Sequence, residues 1–239
     1  MIYQNIVESK GKKKLFTLLL DPDKCDTKRL SSILSTSSQS KISMLMVGGS
    51  LVNTDINSLI GDIKKICELP IVLFPGNAVQ FADKADAILL LSLISGRNAD
   101  FLIGNQVIVS GAIKRSGIEV LPTGYVLIDG GVQTSVQYMS NTMPIPASKA
   151  DIAVATALAG QQMGLKLIYL EAGSGAKNPV PLEMIKAVRD EIEIPIIVGG
   201  GLRTPEMVKA AWNSGADMVV VGNIFEGNHV DFENFLKNI

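Results

Sequence analysis

The chain is poor in the residues that build most reactive centres. Its only histidine among 239 residues is His229, which excludes a histidine-based triad and a histidine zinc site. Its two cysteines, Cys25 and Cys67, are far apart and lack metal spacing. They fit a reducing compartment, the cytoplasm, better than a disulfide framework. No run of 18 or more apolar residues is present, so no bilayer-spanning helix is encoded. The opening stretch MIYQNIVESKGKKK lacks the apolar centre of a secretory signal, and none is expected. Charge of either sign is not in excess: 22 basic and 23 acidic residues leave a net charge of −1. That excludes a protein-wide basic field for nucleic acid. The one basic run, Lys10 to Lys14, reads as a solvated lead-in to the first strand. A P-loop, a strand–GxGxxG–helix and a DDxxD aspartate cluster are all missing.

What is present is apolar and periodic. Hydrophobic residues make up 47% of the chain and charged ones 19%, so a large core is affordable. Eight short apolar runs recur, at 15–20, 43–49, 70–76, 87–94, 120–128, 166–173, 195–201 and 218–224. Most are continuously apolar, as strands buried on both faces should be. Helices are expected between them, over 98–116, 149–163, 181–191 and 204–214. The last should open with Thr204 as N-cap, Pro205 at its first position and Glu206 in its first turn. The pattern predicts one α/β domain over 1–239, a TIM-type (β/α)8 barrel. Only 77–86 separates the third and fourth strands, too little for a regular crossover helix. An irregular or missing third helix is therefore expected, with an opening in the outer ring. The long segment 129–149, rich in Gly, Pro, Ser and Thr, is expected to serve as a lid or interface.

Barrel enzymes place their chemistry at the C-terminal strand ends, with phosphate near the last strands. Three small-residue clusters fall there: Ala172 to Ala176, Gly199 to Gly201, and Gly222 with Asn223. Each glycine singly could simply turn the chain. Together they suit a backbone cradle for phosphate. On the other side, LLLDPDK ends strand one with Asp21 and Asp23, and VGGS ends strand two with Ser50. A carboxylate with hydroxyl and water ligands suits Mg²⁺. Asp21 as a turn former and Ser50 as a helix cap are the plainer readings.

In order, LLLDPDK, MVGGS, LPTGY, YLEAGSG, VGGGLRTPE and VVGN stand one to a strand end. They resemble the geranylgeranylglyceryl phosphate synthase family, which includes the bacterial heptaprenylglyceryl phosphate synthases. The wording is closest to its larger archaeal-type branch, which also occurs in bacteria. The resemblance covers about residues 15 to 225. It implies a modified TIM barrel and a prenyltransferase of lipid biosynthesis. Such an enzyme joins sn-glycerol 1-phosphate to a long allylic diphosphate, usually geranylgeranyl diphosphate, making an ether and releasing pyrophosphate with Mg²⁺. Carried onto this chain, it implies that Asp21 and Ser50 hold Mg²⁺. It implies that Tyr169, Leu170, Glu171, Ala172, Gly173, Ser174, Gly175, Gly200, Gly201, Gly222 and Asn223 hold glycerol phosphate. It also implies a homo-oligomer, for which Tyr138 and Met143 offer apolar contact. Some bacterial relatives carry a lysine two residues before the metal aspartate, where this chain has Leu19. Lys24, Arg97 and Lys177 are then the candidate cations for diphosphate.

Tyr169 and Glu171 are two apart on a strand and should share a face. Glu171 would accept the proton of the attacking hydroxyl and face the developing allylic cation; pairing with a barrel lysine is the alternative. The prenyl tail should leave the packed barrel past strands two to four, where the missing helix makes room. The product, a lipid, implies transient membrane contact at release. The rival functions are another phosphate-barrel reaction, such as sugar-phosphate isomerisation or thiamine phosphate synthesis, and a non-catalytic phosphometabolite-binding barrel.

Overall fold

The computed structural model describes residues 1–34, 40–222 and 232–239. Eight parallel strands close a barrel in chain order. They are β1 Leu15–Leu20, β2 Met44–Val47, β3 Ile71–Leu73, β4 Ala87–Leu93, β5 Glu119–Leu127, β6 Leu167–Glu171, β7 Ile196–Gly199 and β8 Met218–Val221. Leu15 to Leu18 of β1 pair with Met218 to Val221 of β8 and shut the ring. Alternation sorts the side chains into two cores. Phe16, Leu18, Leu20, Ile168, Leu170 and Val198 face the helices. Leu15, Met44, Leu167, Tyr169, Met218 and Val220 fill the interior. Burial on both faces is why the runs read as continuously apolar.

The helices are α1 Ile2–Ser9, α2 Thr27–Leu34, α3 Ile56–Ile66, α4 Asn105–Ser116, α5 Ser135–Ser140, α6 Ala150–Gln162, α7 Leu182–Glu191, α8 Pro205–Asn213 and a last helix, Phe232–Lys237. The helices expected at 149–163, 181–191 and 204–214 are α6, α7 and α8. Thr204 caps α8 as its sequence foretells, accepting the Met207 N–H at 3.3 Å. The stretch expected to be helical from 98 opens with a wide π turn, Asp100–Gly104, before α4. The segment 129–149 carries the short α5, which sequence reasoning missed.

The short link between β3 and β4 is irregular, as expected. One 3₁₀ turn, Ala78–Gln80, replaces a helix. Side chains take over the hydrogen bonding that a helix would do for itself. Asn105 accepts the Ala78 N–H at 3.0 Å, and Asn77 accepts that of Val79 at 3.1 Å. Gln80 accepts the Gly76 N–H at 2.9 Å and donates to the Gly49 carbonyl at 2.8 Å. The outer ring is thin here, between β3, β4 and α4.

The floor of the barrel is α1, which the sequence analysis passed over. Ile2 and Ile6, one turn apart, join the interior core. Glu119, at the start of β5, accepts the N–H groups of Ile2 at 2.5 Å and Tyr3 at 2.9 Å. It thereby satisfies two of the helix's free amides and places an anion at its positive end. The basic run that follows is only partly solvated. Lys12 and Lys13 are exposed, but Lys14 donates to the Trp212 and Ala216 carbonyls at 2.9 and 3.1 Å, and Lys10 donates to that of Glu193.

Candidate active site

The end of β6 sets the chemistry. Tyr169 and Glu171 both point into the barrel, with only 0% and 5% of their surfaces exposed. The Glu171 carboxylate accepts the Gly173 N–H at 2.6 Å. Burial pushes its carboxyl up to about 7, against the pull of that amide and of the Tyr169 hydroxyl beside it. No ion pair reaches Glu171 among the described residues, so the barrel-lysine alternative has no partner. The Tyr169 hydroxyl is buried and makes no hydrogen bond of ordinary geometry. A buried polar group left open toward a cavity costs free energy that a ligand can recover.

The glycines of β7 fit this pair. A Cβ at Gly199 would collide with the Tyr169 hydroxyl, and one at Gly200 with the Glu171 carboxylate. Gly200 also adopts φ +79°, a left-handed conformation that glycine takes without strain. The loop after β6 is held from two sides. A Cβ at Gly173 would strike Thr134, and one at Gly130 would strike Ala176 and the Ala172 carbonyl. On the far side, Arg203 reaches over from the β7 loop and donates to the carbonyls of Ala176 and, at 3.1 Å, Lys177.

These elements surround a polar chamber of about 630 Å³ at the C-terminal rim. Of the residues singled out from sequence, Asp21, Asp23, Ser50, Tyr138, Tyr169, Glu171, Ser174, Gly175, Gly200, Gly201 and Gly222 line it. Leu170 and Ala172 turn their side chains into the outer core, and Gly173 gives its amide to Glu171. Asn223 and His229 lie outside the described residues. Sequence reasoning missed Thr134, Tyr125 and Arg203, which also line the chamber. Inward parity on β5 was the signal available for Tyr125; Thr134 and Arg203 gave none.

At the opposite wall, Asp21 accepts the Asp23 N–H at 3.1 Å and pairs with Lys24 at 3.1 Å. Asp23 borders the chamber too, but its carboxylate is already engaged. It accepts the N–H groups of Asn53 at 3.0 Å and Thr54 at 2.8 Å, and the Thr54 bonds, then the Asn53 bonds, hold its carboxyl at about 2. Of the candidate cations, Lys24 lines the chamber. Arg97 is turned to the Gly96 carbonyl at 2.7 Å, and Lys177 is not part of the wall. No group of three or more acids, histidines or cysteines gathers among the described residues. One carboxylate and one hydroxyl still fit Mg²⁺, which keeps several waters and takes other ligands from substrate phosphates.

A second pocket, apolar and about 90 Å³, lies behind the irregular link. Ile88, Leu90, Phe101 and Val109 line it, between β4 and α4. It shares Gly49, Ser50, Phe74, Tyr125 and Val136 with the polar chamber. The polar chamber thus adjoins an apolar recess, and their shared walls lie where the sequence predicted an escape for a hydrocarbon tail.

Comparison with known proteins gives this geometry a family. The PcrB family model matches residues 5–239. The chain belongs to the PcrB family. It is 52% identical to the geranylgeranylglyceryl phosphate synthase of Spirosoma linguale over 213 residues, 88% of this chain and 85% of that protein. It is 48% identical to the one from Flavobacterium johnsoniae over 235 residues, 98% and 97% of the two chains. Among solved structures, this PcrB-family barrel superposes on the (S)-3-O-geranylgeranylglyceryl phosphate synthase of Thermoplasma acidophilum with a TM-score of 0.92. The identity is 32%, and the match covers 100% of this chain and 96% of that one. That structure contains the substrate sn-glycerol-1-phosphate. No helix among the described residues of this family member is long and apolar enough to cross a membrane.

Proposed function

We propose that the chain forms an ether between sn-glycerol 1-phosphate and geranylgeranyl diphosphate and releases pyrophosphate. It is a geranylgeranylglyceryl phosphate synthase. The observation that carries this reading is the buried Glu171 carboxylate beside the open Tyr169 hydroxyl, in a polar chamber that adjoins an apolar recess, the start of a channel for the prenyl chain. An isomerase or a mere phosphate-binding barrel has no use for the channel.

Glycerol 1-phosphate occupies the β6–β8 side. The backbone of Ser174, Gly175, Gly200, Gly201, Gly222 and Asn223 receives its phosphate, and Tyr169 donates to a glycerol hydroxyl. The prenyl chain lies in the apolar channel with its diphosphate toward Asp21. As the allylic C–O bond breaks, its electron pair leaves with pyrophosphate. The free terminal hydroxyl of glycerol attacks the allylic carbon, and its proton passes to Glu171. Burial serves this step, because a carboxylate held near 7 takes a proton more readily at neutral pH than an ordinary one. Asp21 and Ser50 would hold Mg²⁺, which would take the place of the Lys24 ammonium on the Asp21 carboxylate and supply charge neutralisation for the departing pyrophosphate, leaving Lys24 to meet the diphosphate directly. Further parts of the proposal are a cytoplasmic location, transient contact with a membrane at product release, and a homo-oligomer with contacts from Tyr138 and Met143. Both of these side chains are strongly exposed.

The test incubates the purified chain with glycerol 1-phosphate or glycerol 3-phosphate and prenyl diphosphates of several lengths, with mass detection of the ether. Product from the 1-phosphate with the C20 donor is expected. Equal turnover of both enantiomers, or none with any donor, overturns the reading. Light scattering at the monomer mass across working concentrations overturns the oligomer.

A further inference from the structure

The chamber and the channel meet at aromatic rings. Phe74, directly after β3, and Tyr125 of β5 line both cavities. With Tyr169 they form a closed set of three. Phe74 stacks on Tyr169 with centroids 5.4 Å apart and planes at 20°. Tyr125 meets Tyr169 edge-on at 5.4 Å and Phe74 at 6.0 Å. The register that pairs Tyr125 with Tyr169 across β5 and β6 fixes two of the rings to the barrel wall. Glu171 stands one inward position beyond Tyr169 on the same strand.

We propose that Phe74 and Tyr125 are catalytic residues whose π faces stabilise the allylic cation as it forms at the mouth of the channel. This rests on the prenyl-transfer reading above. The transferred carbon must pass from the apolar channel to the polar chamber, and these two rings line both. During the step, the C–O pair departs with pyrophosphate, the glycerol oxygen supplies a new pair to the same carbon, and Glu171 takes the hydroxyl proton. Between breaking and making, positive charge spreads over the allylic carbons. Ring faces offer negative potential without a nucleophilic lone pair. Tyr125 keeps this character because burial, and then the charge of Glu171, push its hydroxyl well above its ordinary titration range. Its oxygen therefore stays protonated.

Ordinary core packing makes the same contacts, so the test has to vary electrostatics at constant shape. Phe74 is replaced by phenylalanines with one, two and three ring fluorines, which weaken the ring's negative face stepwise with little change in size. The chemical step is followed in single turnover at saturating substrates. Cation stabilisation predicts that the logarithm of the rate falls steadily with fluorine number, by about three- to thirty-fold across the series. Melting temperature and glycerol 1-phosphate affinity should not follow the trend. Tyr125→Leu should slow the same step about tenfold, and Tyr125→Phe should restore most of it. A rate independent of fluorination in an active enzyme overturns this proposal and leaves the prenyl-transfer reading intact. Absence of any turnover in the unaltered chain overturns both.

Discussion

Glu171 accepts the backbone N–H of Gly173, two residues further along, at 2.6 Å. The acid thus consumes one donor of the loop that follows it. An acidic side chain and the proposed anion cradle share a single turn, but they do not compete. The carboxylate turns back into the barrel, while Ser174 and Gly175 line the chamber beyond it.

Glu171→Gln retains the size of the side chain and an acceptor for Gly173 but removes the base. We expect kcat to fall about 10²- to 10⁴-fold with glycerol 1-phosphate affinity nearly unchanged. In the unaltered protein kcat/KM should rise with pH through about 7, where Glu171 ionises. Steady-state rates from pH 5.5 to 8.5 check both, and a substitution with normal turnover assigns the base elsewhere.

The same substitution should stabilise the fold. Burial raises the Glu171 carboxyl from 4.5 to about 7. Between those values the folded chain retains a proton that the unfolded chain releases, so stability falls as pH rises through this window. At about 1.4 kcal/mol per pKa unit, the cost of the ionised acid is on the order of 3 kcal/mol above pH 7. Glu171→Gln should therefore melt several degrees higher than the parent at pH 8, with the difference closing toward pH 4.5. Melting curves across that range test it.

Gly200→Ala should injure activity more than its size suggests. The new methyl would meet the Glu171 carboxylate in a backbone at φ +79°. A loss of about 1–2 kcal/mol in stability is expected from the backbone alone. A displaced Glu171 should also lower kcat. Denaturant unfolding and turnover on one preparation separate the effects.

Arg203→Met removes the donors that tie the β7 loop to the Ala176 and Lys177 carbonyls. Charged hydrogen bonds contribute about 1.5–3 kcal/mol when sheltered, and this side chain is exposed. A rise of roughly 3- to 10-fold in the glycerol 1-phosphate dissociation constant is therefore expected. Calorimetry measures it, and prenyl diphosphate binding should not change.

Asp21→Asn should do the reverse. It should weaken Mg²⁺-dependent prenyl diphosphate binding by about tenfold or more and spare glycerol 1-phosphate across the chamber. Calorimetry showing equal losses of both ligands would assign Asp21 a structural role.

Strand positions were legible because burial on both faces leaves an unbroken apolar run, and each predicted run holds one observed strand. The shared face of Tyr169 and Glu171 followed from the same two-residue period. The meeting of Phe74, Tyr125 and Tyr169 did not, because it depends on register between strands separated by long crossovers. Arg203 escaped notice for a related reason: its partners are backbone carbonyls, which have no letter in a sequence. The floor helix left a weak trace in Ile2 and Ile6. Its decisive partner, Glu119, lies more than a hundred residues away.

The stopper that Ile2 and Ile6 form has a consequence for traffic. A pocket of about 420 Å³ lies at the floor among Ile2, Ile6, Leu15 and Met44, but Leu167, Ile197 and Met218 between it and Tyr169 are buried core, so among the described residues the doorway for water to the acid is the rim through which glycerol phosphate would arrive. As the proposed base, Glu171 would release its proton through that doorway. An ether in the chamber would block the doorway, and resetting the base would wait until the product had gone. On that proposal each round of synthesis would end with two departures in fixed succession, the oily product first and the proton after it.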